Sequence, residues 1–287
     1  MRLRAIILGC GSSGGVPRIG GPGGRGNWGN CDPAELKNRR TRCSLIVQRA
    51  DESLGWDAPE LTTLLIDTSP NLREQLLNNH IGRLDAVLYT HDHADQTHGI
   101  DDLRVLSLMG RYRVPVYVNE KTCPNLLQRF DYCFQDNPKT GYPAILNHHV
   151  MPQPGETFEI DGPTGPIPIT SILVTHGPVN ALGFRFGLPQ ADIAYSPDLN
   201  DISETSFCHF KGCHSWIVDA LRYKPHVSHA HLSRSLDWID RAGVQHGVLT
   251  NLHIDLDYRT VMAETPEHVE PAYDGMVIEP TAFSCRT

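Results

Sequence analysis

Short apolar runs, each ended by a turn or a polar stretch, divide the chain into predicted strands and helices. Runs rich in Val, Ile and Leu are typical of buried strands. They predict strands at residues 2–9, 45–47, 61–66, 84–90, 114–118, 157–160, 167–174, 182–187, 193–195, 216–220 and 244–250. Apolar residues at helical spacing predict helices at residues 71–79, 121–134 and 232–242, and another that opens at residue 99. Residues 137–154 are Pro-rich and are expected to be irregular.

Several of these strands end in a histidine or an acid. Residues 84–90 run directly into the pattern His91-x-His93-x-Asp95. The other strand ends of this kind lead to Asp67, His176, Asp198, the segment 226–231 and the segment 251–257. Ligand sites in α/β proteins gather at the C-terminal ends of strands. The strand ends are therefore expected to converge along one edge of the fold.

The His-x-His-x-Asp pattern predicts a metal site. Residues two apart in extended backbone point to the same side, so His91 and His93 face one point and Asp95 continues the alternation. Two neutral imidazoles and a carboxylate suit Zn²⁺, Mn²⁺ or Fe²⁺. The plain alternative is a solvated, His-rich loop, but the position directly after a buried strand favours the metal site.

Composition narrows the function classes. The formal net charge of −8 argues against a general polyanion-binding surface, and so against a large nucleic acid as partner. The first apolar run is too short for a signal peptide, and no apolar segment reaches the roughly 18–20 residues that a membrane span needs. The eight cysteines, Cys285 among them, form no Cys-x-x-Cys pair, which is typical of a reducing compartment. The expected setting is cytoplasmic, without a membrane partner.

Residues 9–29 form a glycine-rich segment after the first strand. Its spacing is not that of a dinucleotide-binding Gly-x-Gly-x-x-Gly motif, and Pro17 with further glycines prevents a following helix. Long loops without regular structure are usually functional. We therefore expect a pliable loop over the mouth of the site, from which Ser12 and Ser13 would reach a substrate.

The His91-x-His93-x-Asp95 pattern resembles the signature of the metallo-β-lactamase superfamily. The resemblance implies one hydrolase domain over residues 1–287, an αββα sandwich of two mixed sheets packed face to face with helices outside. Carried over by position, it implies that His91, His93 and His176 hold a first metal ion. It further implies that Asp198 bridges two ions and that Asp95 is the first ligand of a second. Asp67 matches a motif that orients the metal-binding loop.

Two positions depart from the superfamily pattern. Gln96 stands where a histidine of the second site is usual, and Asn251 follows its strand directly where a histidine is common. His253, two residues on, faces the same way as Asn251 if the backbone is extended, and would then take over the ligand role. We expect a second metal site that either binds its ion weakly or holds a hard cation such as Mn²⁺ with water ligands. The alternative is that no second ion binds.

Further segments narrow the resemblance to one branch. Residues 38–44, 93–104, 224–229 and 255–258 resemble the PhnP-type phosphodiesterases of the carbon–phosphorus lyase pathway, which open cyclic ribose phosphates and related cyclic nucleotides. The resemblance covers nearly the whole chain. Those relatives often carry a structural zinc site built from closely spaced cysteines before the Arg-rich segment. Only Cys31 remains here, so no such zinc is expected.

The PhnP-type resemblance also implies catalytic roles. His229 matches the proposed general acid, which would protonate the leaving alkoxide. Asp95 would orient a hydroxide formed on the metal, whose bound water has a lowered pKa. His226 and His231 are rivals for the acid role and candidates for substrate binding. Arg104, or the arginines within residues 39–42, would hold a terminal phosphate.

Three functions remain in competition. The leading one is a metal-dependent phosphodiesterase that uses Zn²⁺ or Mn²⁺ on a small cyclic or nucleotide-like phosphate. The second is a thioester or lactone metallohydrolase, because the fold alone does not fix the substrate. The third is a non-catalytic nucleotide-binding or metal-sensing protein. A tRNA nuclease is disfavoured by the negative charge and the lack of an inserted basic arm. The expected partner is a small phosphorylated substrate, and a homodimer is left open.

Overall fold

Two seven-stranded β-sheets make up the centre of the structure, a computed structural model that describes residues 2–280. Cys285 lies outside the described residues. The strands are β1 Arg2–Gly9, β2 Ser44–Ala50, β3 Thr62–Ile66, β4 Ala86–Leu88, β5 Val114–Val118, β6 Leu146–Val150, β7 Thr157–Ile160, β8 Ile167–His176, β9 Val179–Phe186, β10 Ile193–Ser196, β11 Ser215–Asp219, β12 His246–Thr250, β13 Val269–Pro271 and β14 Val277–Ile278.

Helices cover the outer faces of the two sheets. They are α1 Leu72–Asn78, α2 Ala94–Thr97, α3 Leu103–Gly110, α4 Cys123–Arg129, α5 Asp131–Phe134, α6 Glu204–Phe207, α7 Leu232–Ala242 and α8 Tyr258–Glu264. Short 3₁₀ turns occur at Pro22–Gly24, Leu36–Asn38 and Ile100–Asp102. Within residues 2–280, none of the helices combines the length and the apolar character that crossing a bilayer requires.

Both sheets are mixed and share one layout. The first sheet has the order β14-β1-β2-β3-β4-β5-β6, and the second the order β13-β12-β11-β10-β9-β8-β7. In the first sheet β14, β1, β2 and β3 pair antiparallel, whereas β3, β4, β5 and β6 pair parallel. In the second sheet β7 to β10 pair antiparallel and β10 to β13 pair parallel. The predicted αββα sandwich is confirmed.

Alternation along the strands builds three apolar layers. On β1, Ala5 and Ile7 face the core between the sheets, while Ile6 and Leu8 face the helices that cover the first sheet. Leu64 of the first sheet shares the central core with residues of the second. A third cluster packs α7 on the outer face of the second sheet. Because each central strand is covered on both faces, most of its residues are buried, which explains the nearly continuous apolar runs.

The strands that carry the candidate site residues run in the same direction within each sheet. In the second sheet β8, β10, β11 and β12 are parallel in direction, since β9 runs against both of its neighbours. In the first sheet β3 and β4 are parallel. Their C-terminal ends therefore meet at one edge of the sandwich, as expected from the sequence.

Two predicted elements were wrong. The single helix over residues 121–134 is two helices, α4 and α5, because Phe130 leaves helical geometry with φ −126° and ψ 35°. Residues 137–154 are not wholly irregular, since β6 pairs with β5 in parallel. In β6 only Leu146 is buried, and His148 and His149 are exposed at the sheet edge. An exposed edge strand lacks the apolar pattern that would reveal it.

The central core predicts a matched pair of stability effects. Leu64 is fully buried between the sheets, whereas Leu108 on α3 is 54 % exposed. Leu64→Ala should lower the free energy of unfolding by about 2–5 kcal/mol, because it removes packed methyl groups and leaves a cavity. Leu108→Ala should change it by no more than about 0.5 kcal/mol. Urea denaturation followed by circular dichroism measures both, and equal losses would contradict the assigned core.

Candidate metal centre

Three imidazoles converge at the strand ends. His91 and His93 follow β4, and His176 is the last residue of β8 in the opposite sheet. One ligand atom from each lies within 4.8 Å of the others. The ring centroids are 4.5 Å, 5.0 Å and 5.1 Å apart. We call these residues the three-histidine group; the structure brings together the three side chains predicted for a first metal ion.

Hydrogen bonds fix which nitrogen of His91 is free. Asp67, at the end of β3, accepts the Thr90 N–H and the Thr90 hydroxyl, each at 2.8 Å. The Thr90 hydroxyl has then donated its proton, so at 3.0 Å it accepts from Nδ1–H of His91. Nε2 of His91 is left without a proton and lies 2.9 Å from Nδ1 of His93. Two ring nitrogens thus face each other where a metal ion would sit.

The same logic applies to His176. Its Nδ1–H donates to the carbonyl of Ser228 at 2.6 Å, which leaves the Nε2 lone pair free. Burial, followed by the charge of His229, lowers the pKa of His176 to about 4. Burial also lowers the pKa of His91, with the neighbouring His176 acting in the same direction. Both imidazoles are neutral near pH 7, so the group offers the nitrogen donors that a divalent metal ion requires.

Carboxylates lie beside the three-histidine group. Asp198, two residues beyond β10, is buried and forms a second cluster of potential ligands with His176 and His229. Burial raises the pKa of the Asp198 carboxyl, and the charge of Asp95 acts in the same direction. Negative charge held out of water is costly unless a cation offsets it. The donor set therefore fits a divalent cation at the three-histidine group.

Two side-chain amides hold the Asp198 carboxylate. Gln96 donates from Nε2 to Oδ2 of Asp198 at 2.5 Å. Asn251 donates from Nδ2 to Oδ1 of Asp198 at 3.3 Å and to the Pro197 carbonyl at 3.0 Å. Each carboxylate oxygen of Asp198 thus accepts one amide proton. Gln96 and Asn251 are the two positions that depart from the superfamily pattern.

His229 is paired with a buried acid at the end of β11. Its Nδ1 lies 2.8 Å from Oδ2 of Asp219, and Asp219 is fully buried. Burial alone lowers the pKa of His229, but the charge and the hydrogen bond of Asp219 outweigh it and raise the pKa to about 9. The imidazolium is held with Nδ1–H towards Asp219, which leaves Nε2–H as a proton donor. Sequence analysis missed Asp219, although an acid at the end of a predicted buried strand was a usable signal.

His253 and Arg104 lie outside both clusters. Nδ1 of His253 accepts the Asp255 N–H at 3.2 Å, so its side chain turns towards its own loop. Arg104 on α3 forms an ion pair with Asp101 at 2.6 Å. The ligand role of His253 and the phosphate-binding role of Arg104 find no supporting contact among the described residues.

The remaining predicted residues lie on loops around the strand ends. The ring of His226 is 5.2 Å from that of His229, measured between centroids. His231 is the residue at the N-cap position of α7, and its side chain makes no capping hydrogen bond. Ser13 is exposed within the glycine-rich segment. His226 is therefore the nearer rival of His229, and the roles of all three residues stay predictions.

The bond between Asp67 and Thr90 predicts an effect on metal affinity. Asp67→Asn keeps the shape and suits the positive φ of 61° at this position, but it leaves one acceptor oxygen for two Thr90 donors. Loosening this support of His91 should weaken metal binding roughly 10–100-fold. Competition with a chromogenic chelator measures the affinity. Asp85→Asn, at a carboxylate that accepts from Thr63 N–H away from the site, is the control and should leave it unchanged.

Comparisons with known proteins agree with this geometry. Residues 62–254 match the family described as the beta-lactamase superfamily domain. The crystal structure of a diphosphatase from the PhnP family superposes with a TM-score of 0.79 at 31% identity, over 96% of this chain and 97% of that one. YhfI of Bacillus subtilis, a metallo-β-lactamase fold protein, has a TM-score of 0.70 at 17% identity, over 97% of this chain and 100% of its own.

A curated relative from Porphyromonas gingivalis, named octanoyltransferase, is 31% identical over 277 residues, or 96% of this chain. The chain spans about half the length of that relative, 51%. The family match covers well over half of the chain, and the PhnP-family structure aligns with it almost end to end. The chain belongs to the metallo-β-lactamase superfamily, on the branch of the PhnP family.

Proposed function

We propose that this chain is a metal-dependent hydrolase that opens small cyclic or nucleotide-like phosphodiesters. The observation that carries the proposal is the pairing of His229 with Asp219 beside the three-histidine group. A proton donor fixed next to a set of metal ligands is what the cleavage of an ester with a poor leaving group needs. The PhnP-family relative, described as a diphosphatase, supports a phosphorylated substrate.

The residues of the site divide the work. The three-histidine group would hold the ion, either Zn²⁺ or Mn²⁺. When bound, a divalent ion lowers the pKa of a water molecule and offsets charge on phosphoryl oxygens. Asp95, partly exposed in the first turn of α2 just after His93, would accept a hydrogen bond from the attacking water and orient it. His229 would give the proton on Nε2 to the departing oxygen, while Asp219 keeps the ring oriented.

Two arginines near His253 favour a phosphate over a neutral carbonyl as the substrate group. Burial lowers the pKa of His253, and the nearby guanidinium groups of Arg18 and Arg222 lower it further. Nε of Arg18 is buried and has no hydrogen-bond partner among the described residues. An N–H that lacks a partner in the protein suits an anionic oxygen. Arg18 is therefore the better candidate for phosphate binding than Arg104.

The proposal predicts metal-dependent hydrolysis of a 2′,3′-cyclic nucleotide. Metal-stripped protein should be inactive, and added Zn²⁺ or Mn²⁺ should restore turnover. His229→Ala should retain the metal but lower kcat roughly 10²–10⁴-fold, because it removes the proton donor. His148→Ala, a change of the same chemical kind on the exposed edge strand β6, should have a much smaller effect. His91→Ala should abolish metal retention and turnover together.

Some outcomes would contradict this assignment. Loss of metal from His229→Ala would make that residue a ligand instead of an acid. If the protein folds normally and takes up metal but hydrolyses neither cyclic nucleotides nor diphosphate esters, the phosphodiesterase proposal is wrong. Hydrolysis of thioesters or lactones, or a nucleotide-binding role, would then be favoured.

A thioester hydrolase is the second candidate. The relative from Porphyromonas gingivalis is named for transfer of octanoyl groups, and this chain matches about half of it. The same metal centre would attack a thioester carbonyl. Release of free thiol from an octanoyl thioester, followed with a thiol reagent, tests this candidate. Turnover of the thioester with none of the cyclic phosphate would establish it in place of the first.

The setting that we propose is the cytoplasm. The seven described cysteines are free thiols, and six of them are buried. Unpaired thiols are typical of a reducing compartment. A small phosphorylated substrate is the partner that the site suits, and a homodimer remains a proposal for measurement by light scattering.

A further inference from the structure

The superfamily resemblance implies a second metal ion beside the first, but the residues around Asp198 do not fit one. Gln96 Nε2 and Asn251 Nδ2 each donate to a different oxygen of the Asp198 carboxylate. We propose that this chain binds one metal ion, at the three-histidine group, and that the two amides close the second site. The inference deepens the proposed function and rests on it for the identity of the first site.

The orientation of both amides follows from their oxygen neighbours, Pro197 and Asp198, while Nδ2 of Asn251 also lies 3.0 Å from Nδ1 of His229. Nδ2 of Asn251 lies 3.0 Å from the Pro197 carbonyl oxygen, which can only accept, so the nitrogen must be on that side. For Gln96, Nε2 faces Oδ2 of Asp198 at 2.5 Å, and a carbonyl oxygen in its place would set two acceptors against each other when the carboxyl is ionised, as it is beside a bound cation. Both amides therefore present N–H groups to the carboxylate. An N–H group offers a cation no lone pair.

The hydrogen bonds also reduce the number of lone pairs that Asp198 can offer to a cation. A carboxylate has about four lone-pair positions on its two oxygens. One position on each oxygen of Asp198 is taken by an amide proton, from Gln96 and from Asn251. Each oxygen of Asp198 therefore keeps one position, which is enough for an ion at the three-histidine group, but neither oxygen by itself can bridge two ions. Asp95 would then be the carboxylate left for a second cation; Oε1 of Gln96 is buried without a partner among the described residues, but it is the amide atom that does not face Asp198.

The other nitrogen donor nearby is already engaged. His229 lies close to Asp198, and its Nδ1 is 3.7 Å from Oδ1 of that carboxylate. Its Nδ1–H is directed at Asp219 at 2.8 Å, and that bond fixes the ring. Since His253 turns to Asp255, the predicted substitute does not supply the missing imidazole either.

The backbone at position 251 would accept a histidine. Asn251 has φ 60°, in the left-handed region. Asn, Asp and His are the non-glycine residues most often found there. Gln96 sits on the short helix α2, where no such restriction applies. Restoring histidine at both positions therefore changes the ligands without a backbone penalty.

Counting bound ions tests the inference without any substrate. Metal-stripped protein is equilibrated by dialysis with Zn²⁺ or Mn²⁺, and the metal per chain is measured by plasma mass spectrometry. The wild-type chain should bind one ion, and Gln96→His/Asn251→His should bind two. His91→Ala should bind none, which shows that the counted ion belongs to the three-histidine group. With Mn²⁺, the double variant should also give the electron paramagnetic resonance signal of a coupled pair, and wild type that of an isolated ion.

Isosteric variants keep the test decisive if the histidines impair folding, as judged by circular dichroism. Gln96→Glu/Asn251→Asp has nearly the same shape but replaces both N–H donors by carboxylate oxygens, and it should also bind two ions. Two ions in the wild-type chain would overturn the inference, as would one ion in every folded variant. Because the readout is a count, one ion in an inactive wild-type enzyme would leave the inference standing while the proposed activity fails.

Discussion

The cost of burying carboxylates at one edge of the sandwich governs the arrangement of the site. Asp67, Asp198 and Asp219 are almost fully buried, and each is at or just beyond the end of a strand. A carboxylate away from water is stable only if hydrogen bonds or a cation compensate it. Thr90 compensates Asp67 and His229 compensates Asp219. Asp198 accepts hydrogen bonds from two side-chain amides, and it has an oxygen within 4.8 Å of a ring nitrogen of His176.

This division gives each half of the sandwich a task. The first sheet supplies Asp67 and the loop with His91 and His93, so it sets the position of the metal ligands. The second sheet supplies His176 and, through Asp219, the orientation of His229. Because the two sheets share one packed core, His229 and the three-histidine group are held at a fixed separation. The proposed acid catalysis would require such a rigid separation.

The site also explains how a familiar fold can carry an altered metal centre. One fold can host many different reactions, because the reaction depends on the residues of the site. Here Gln96 and Asn251 occupy the two positions at which histidine ligands are usual. Each donates an N–H to Asp198 and offers no ring nitrogen to a cation. The exchange leaves a carboxylate that is held by neutral groups. A cation at the three-histidine group then meets fewer negative charges than a two-metal centre would provide.

The sequence by itself determined the fold class and the local half of the site. Strand periodicity predicted most strands, and His91 and His93 are recognisable since two residues of extended backbone bring them to one side. The edge strand β6 was not predicted, because an exposed strand lacks a run of apolar residues. Only the tertiary structure decided the contacts between Gln96 and Asp198, 102 residues apart, and between Asn251 and Asp198, 53 apart. Such contacts depend on strand order and side-chain orientation, which local patterns do not encode.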